Sequence, residues 1–300
     1  MKDTWKTLLS LTVLLALVSC AQESHFHEEK IFAGGVVASP LKLNKGRAIY
    51  QEYCMACHGV NGEGNGPASK GLFPPPRNFT QGIYKFGHVI SGELPNDEDF
   101  MRILQKGLHG TAMLPWDMTH DQMDAVIQYV KTFAPQAWEG KDKMPGVKLV
   151  AGIDPFGLAR KTAAIELGKK VYHTEASCQT CHRAYVSHDE LSSLSEATGN
   201  GAMTEFDPDL YNIKVQDSEY GYATLPPDFT WNNIRSADTV EELYVRLLSG
   251  VGGTTMPSWK DTLTDEQIWA VAYYVRSLVD MKDHIEVRKA FMDKIKAANR

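Results

Sequence analysis

The order of apolar and polar positions along this chain repeats itself. Apolar residues recur at helical spacing near residue 125 and again near residue 270. The two runs align residue for residue, with Ala125-Val126-Ile127-Gln128-Tyr129-Val130 lying over Ala270-Val271-Ala272-Tyr273-Tyr274-Val275. Each is preceded by a capping pair, Thr119 with Gln122 and Thr264 with Gln267, whose side chains can satisfy the free N–H groups of a first helical turn. Upstream, the pattern predicts one helix over Asp97–Lys106 and another over Val240–Ser249, the second opened by Thr239 and Glu242. Each copy begins with a short helix carrying a glycine and a tyrosine four residues apart, Gly46 with Tyr50 and Gly168 with Tyr172. Self-similarity of this kind marks a duplicated domain, and 300 residues suit about two domains. The expected bounds are 41–138 and 161–282. Between them runs an ordered but irregular linker, 139–160, with Pro145, Gly146, Gly152, Pro155 and Gly157. A helix-prone tail, 283–300, comes last.

The two copies differ in length. From His58 to Met113 is 55 residues, and from His182 to Met256 is 74. The extra residues fall within 187–222, a segment rich in Ser, Asp, Glu, Gly and Tyr. A loop of this length is either functional or mobile, so it can cover a cofactor edge or form a partner surface.

Cysteine is scarce, at five residues, and four of them fall into two identical frames. These are Cys54-Met55-Ala56-Cys57-His58 and Cys178-Gln179-Thr180-Cys181-His182. C-x-x-C-H is the pattern of covalent haem c attachment. Two thiols three residues apart sit about one helical turn apart, within reach of the two vinyl groups on one edge of a porphyrin. The histidine directly after them is placed to ligate the iron. A redox dithiol or a zinc site would not explain a histidine directly after each pair. The expected cofactors are therefore two covalently bound haem c groups, held by Cys54, Cys57, Cys178 and Cys181, with His58 and His182 as axial ligands.

At the N-terminus, Lys2 and Lys6 precede an apolar run from Leu8 to Val18. This reads as an export signal and is too short to span a membrane. It ends in Leu17-Val18-Ser19-Cys20, which resembles the bacterial lipobox. On that reading, residues 1–19 are a lipoprotein signal peptide, Cys20 is lipidated, and residues 20–40 are a tether above the anchor. His25 and His27 belong to that solvated stretch. The protein would then sit on the periplasmic side of a bacterial membrane. The net charge of −6 argues against nucleic-acid partners and for redox proteins or a membrane respiratory complex.

The order of Gly/aromatic helix, C-x-x-C-H, methionine loop and aromatic closing helix resembles class I cytochrome c, over about residues 40–135 and 160–280. The resemblance implies an all-α fold of two tandem domains, each wrapped around a covalent haem. It implies that Gly46 and Tyr50 meet the helix carrying Tyr129, and Gly168 and Tyr172 that carrying Tyr274. It also implies a methionine as the second axial ligand. Met113 and Met256 each stand six residues after a glycine and three before a tryptophan. Met256-Pro257 matches the family pattern, whereas Leu114 separates Met113 from Pro115. Met118, His88 and especially His109 compete for the first iron, and Met203 is free in the second half. In the family a Gly-Pro carbonyl commonly accepts the proximal histidine's proton. Pro67 and Pro208 are the matching candidates, and Arg77 is a candidate partner for a haem propionate or a solvated loop residue. Two methionine-bearing ligand loops favour a carrier of single electrons over an enzyme. A dihaem peroxidase or thiosulfate dehydrogenase, which would need an open iron, remains the rival.

Overall fold

The computed structural model describes residues 24–299. Cys20 and the apolar run before it lie outside the described residues. Among the described residues, the regular structure is helical apart from one two-stranded sheet. In each half the opening helix crosses the closing one, Pro40–Tyr53 over His120–Lys131 and Lys161–His173 over Asp265–Val279. The crossings are made at Gly46 and Gly168. A Cβ on either would lie 2.0 Å from a carbonyl oxygen, that of Ala125 or of Ala270. Only a residue without a side chain lets two backbones come so close. One turn on, Tyr50 meets Tyr129 at a ring separation of 5.4 Å, and Tyr172 meets Tyr274 at 5.5 Å. These contacts are the ones the resemblance implied.

The middle helices span Asp97–Lys106 and Val240–Ser249, as the capping pattern predicts. Thr119, Thr239 and Thr264 each accept a backbone N–H three residues on, while Gln122, Glu242 and Gln267 reach back to the cap. Both middle helices stop at a glycine in the left-handed φ range, Gly107 at 67° and Gly250 at 72°, from which the methionine loop departs. Trp269 and Tyr244 stack at 4.4 Å in the core of the second half.

Part of the expected tether is folded. Lys30–Phe32 and Val36–Ala38 pair antiparallel, with Phe32 opposite Val36, across a turn made by Gly34 and Gly35 at φ 77° and 73°. Phe32 and Ala38 are fully buried against Trp138 and Leu43. Ahead of the hairpin, the amides of His25 and Phe26 donate to the side-chain oxygen of Asn44. The sequence carried the signal: a Gly-Gly pair flanked by the apolar runs Ile31-Phe32-Ala33 and Val36-Val37-Ala38.

Two other segments are also anchored. Residues 187–222 contain the helix His188–Ala197, and their Leu191 and Leu210 form a small core with Ala184 and Val186 just before them. The tail forms the helix Ile285–Ala298, with Ile295 buried and Asn299 accepting the His188 amide.

The halves dock on one another through backbone. Gly252 N–H donates to the Lys85 carbonyl at 3.1 Å, Ser91 N–H to the Ser249 carbonyl at 2.8 Å, and His109 N–H to the Arg235 carbonyl at 3.2 Å. Arg246, from the second half, is buried between them. Its guanidinium donates to the carbonyls of Phe86, Gly87 and Gly250 and to Ser236 and Ser249. Burial pushes its pKa down to about 9. Among the described residues, no helix is long and apolar enough to cross a membrane.

Candidate haem sites

Both C-x-x-C-H stretches fold into the same turn. In the first, the amides of Cys57 and His58 donate to the Cys54 carbonyl at 3.2 and 2.9 Å. In the second, those of Cys181 and His182 donate to the Cys178 carbonyl at 3.2 and 2.9 Å. The thiols are free of disulfides. The tyrosines of the opening helices pin the chain just past each histidine, Tyr50 donating to the Gly59 carbonyl and Tyr172 to the Arg183 carbonyl.

Each histidine is oriented from behind in the same way. His58 Nδ1 lies 3.0 Å from the Arg77 carbonyl, and His182 Nδ1 lies 3.2 Å from the Pro227 carbonyl. Phe79 stacks on His58 at 4.5 Å and Phe229 on His182 at 4.7 Å. A carbonyl at Nδ1 assigns the proton there and leaves the Nε2 lone pair for a metal. Burial pushes His182 down to about 4 and also lowers His58, so both rings stay neutral, as a ligand must. Burial raises the Cys54 and Cys178 thiols to about 12, so both sulfurs sit in apolar surroundings.

The carbonyls that do this are not those of Pro67 and Pro208. Gly66 packs directly on the first motif, where a Cβ would lie 2.3 Å from the Ala56 carbonyl oxygen. Leu210, beyond Pro208, receives the Ala184 amide and builds the small core. The true signal is a second alignment, Arg77-Asn78-Phe79-Thr80 over Pro227-Asp228-Phe229-Thr230. It places a carbonyl and a stacking phenyl ring two residues apart in both copies.

The first site is a cavity lined by Cys54, Cys57, His58 and Met113, with Tyr84, Leu104 and Trp116 among its walls. Met118, His88 and His109 do not line it. His109 turns outward instead, with Nε2 2.8 Å from Asp238. The loops that carry Met113 and Met256 share one set of hydrogen bonds. Leu108 N–H donates to the Met113 carbonyl, and Val251 N–H to that of Met256. Thr111 and Thr254 donate their hydroxyls to the carbonyls of Leu108 and Val251, and accept the amides of Met113 and Met256. Trp116 and Trp259 tie the end of each loop back to the middle helix, at Leu104 and Leu247. Thus Leu114, which interrupts the Met-Pro pattern, leaves the loop geometry intact.

Free thiols one turn apart, a neutral histidine with Nε2 available and, in the first half, a methionine lining the same cavity suit a covalently attached haem. Among the described residues, no group of three or more His, Cys, Asp or Glu side chains converges.

Comparison with known proteins agrees. Residues 43–134 match the cytochrome c family, and residues 163–275 match the family described as cytochrome C oxidase, cbb3-type, subunit III. No curated protein matches the chain significantly. Among solved structures, the chain is similar to one from the reducing HAO-like protein complex of Kuenenia stuttgartiensis. The two are 32% identical with a TM-score of 0.62, over 78% of this chain and 96% of that one. Two covalently attached haem c groups accord with the two domains. The chain belongs to the dihaem class I cytochrome c family.

Proposed function

We propose that this cytochrome is a carrier of single electrons, with His58 and Met113 ligating one iron and His182 and Met256 the other. The observation that carries the reading is the identity of the two methionine loops. The same backbone and hydroxyl contacts present Met113 and Met256, although 19 more residues separate His182 from its methionine. A loop held so rigidly suits a closed, low-spin iron that reorganises little on electron transfer.

Haem supplies the one-electron couple, and His/Met ligation raises its potential. The chain's own part is to orient the imidazoles through Arg77 and Pro227, hold the methionines, and exclude water with Phe79, Phe229 and the closing helices. The carboxylate in the first cavity wall, Asp99, is already taken by Arg102 at 2.7 Å and by the amides of His88 and Asn96, which disfavours it as the acid/base group a peroxidase needs. The donor and acceptor are redox proteins, met on the periplasmic side of a membrane to which Cys20 anchors the chain. Similarity to a chain of a multiprotein redox assembly supports a place in such a complex.

The test is an optical and magnetic spectrum of the holoprotein, oxidised and reduced, with and without carbon monoxide. Two low-spin haems, the methionine-to-iron band and no carbon monoxide binding are expected. One high-spin or carbon-monoxide-reactive haem would overturn the carrier and point to an enzyme.

A further inference from the structure

The first haem cavity is not completed by its own half. Its wall includes Tyr222 and Arg235, both from the second half, alongside Arg77 and Lys85 from the first. Two of the three cations gather around one aromatic ring, and the third, Arg235, lines the same cavity. The Arg77 guanidinium lies 3.6 Å from the centroid of Tyr220, and Lys85 Nζ lies 5.5 Å from the same centroid. Burial, then the charges of Arg77 and Arg235, depress Lys85 to about 8, so the three are close enough to repel. Among the described residues, none of the three side chains is ion-paired or hydrogen-bonded to a carboxylate. The one carboxylate in the cavity wall, Asp99, is already engaged by Arg102 and two amides. Three half-buried cations facing one cavity without an anion are an unfavourable arrangement by themselves. They are held in place nonetheless: Tyr220 donates its hydroxyl to the Gly252 carbonyl, and the Lys85 and Arg235 carbonyls take amides from across the interface.

We propose that Arg77, Lys85 and Arg235 form a cradle for the two propionates of the first haem, so that the second half completes the first haem's site and helps set its potential. A haem held at Cys54 and Cys57 through its vinyl groups would keep its two carboxylates free, and those would supply the anions that the three cations in this cavity lack. Arg77 then acts twice on one haem, orienting His58 through its carbonyl and pairing a propionate through its guanidinium. Cations beside the ring favour the reduced state, which has one positive charge fewer, and so raise the potential. The inference rests on the attached haem and not on the carrier reading, because potentials are measured without any substrate or partner.

The experiment is a spectroelectrochemical titration of the full-length holoprotein and of Arg235→Gln, Arg235→Lys and Lys85→Gln. Each wave is assigned to its haem by the proton shifts of the haem methyls and their contacts within each half. Each glutamine variant is expected to lower the equilibrium constant for reduction of the first haem about tenfold, or about 59 mV for one electron. The second haem should move much less, and Arg235→Lys should retain most of the wild-type value. An unmoved first haem in both glutamine variants would place the propionates elsewhere. A shift confined to the second haem would assign the cradle to the wrong site. Equal shifts of both haems, with Arg235→Lys no better than Arg235→Gln, would reduce Arg235 to an interface support. Any of these three outcomes overturns the proposal. Carbon monoxide binding, which judges the carrier reading, bears on none of them.

Discussion

Arg77 and Tyr220 lie in different halves of the chain and are stacked, the guanidinium carbon 3.6 Å from the ring centroid. Tyr220 also donates to the Gly252 carbonyl in the loop that carries Met256. One side chain therefore links the residue behind His58 to the ligand loop of the other domain. Tyr220→Leu removes both the stacking and the hydrogen bond, and should cost about 2 kcal/mol. Thermal unfolding monitored separately at the two haems should split from one transition into two. A single, unshifted transition would show that the clasp contributes nothing.

The helix crossings admit no side chain. Gly168→Ala would put a methyl carbon 2.0 Å from the Ala270 carbonyl oxygen and 2.8 Å from the Tyr274 Cβ. The helices must separate to accept it, at a cost of about 3 kcal/mol or more. Gly46→Ala should behave alike in the first half, and chemical denaturation of each variant measures the loss.

The ligand loops give a graded pair of variants. Met256→Ala should open the second iron to carbon monoxide while the first stays closed. Thr254→Val keeps the methionine but removes the hydroxyl that holds it, at a cost of about 1 kcal/mol. In that variant the methionine-to-iron band should survive at low temperature and fade early on heating. An unchanged band in Met256→Ala would exclude that residue as the ligand.

His173 predicts an acid sensitivity localised to the second half. Its ring is buried, with Nδ1 2.7 Å from the Lys169 carbonyl and Nε2 accepting the Tyr185 amide at 3.1 Å. Burial pushes its pKa down to about 4 from 6.5. A histidine that is harder to protonate when folded leaves the unfolded chain holding more protons below 6.5. Stability is therefore lost as pH falls from 6.5 to 4 and changes no further from this group below that, a loss of about 3 kcal/mol. His173→Gln can make the same two hydrogen bonds without titrating, and should flatten that part of the stability curve. His88, lowered to about 4 by burial and the neighbouring Arg102, would leave a residual slope.

Cys20 anchors the chain in the proposed reading. Cys20→Ala should move the protein from the membrane fraction to the soluble fraction of the cell envelope. Retention on membranes stripped of other proteins would remove the lipid anchor.

Much of this architecture was legible in the sequence because it is written twice. Duplicated caps such as Thr119–Gln122 and Thr264–Gln267, and the glycine–tyrosine pairs, depend on local geometry that a single stretch of chain specifies. Contact between distant segments escaped. The carbonyls of Arg77 and Pro227 were hidden because orientation of a histidine by a backbone oxygen leaves no trace in the oxygen's own side chain. The hairpin at Lys30–Ala38 was masked by its acidic approach, although its Gly-Gly turn was readable. Arg235 and Tyr222 could not be assigned to the first haem site at all, because nothing local places them across a domain boundary.

Arg246 sets a condition on how the halves can move. It is a buried cation whose hydrogen bonds are divided between carbonyls of both domains, with no carboxylate bonded to it. Any sliding of one half over the other would strip acceptors from a charge that water cannot reach. The joint is therefore keyed rather than hinged. It holds a single register or opens completely, so the spacing between the two irons should be a fixed property of the fold.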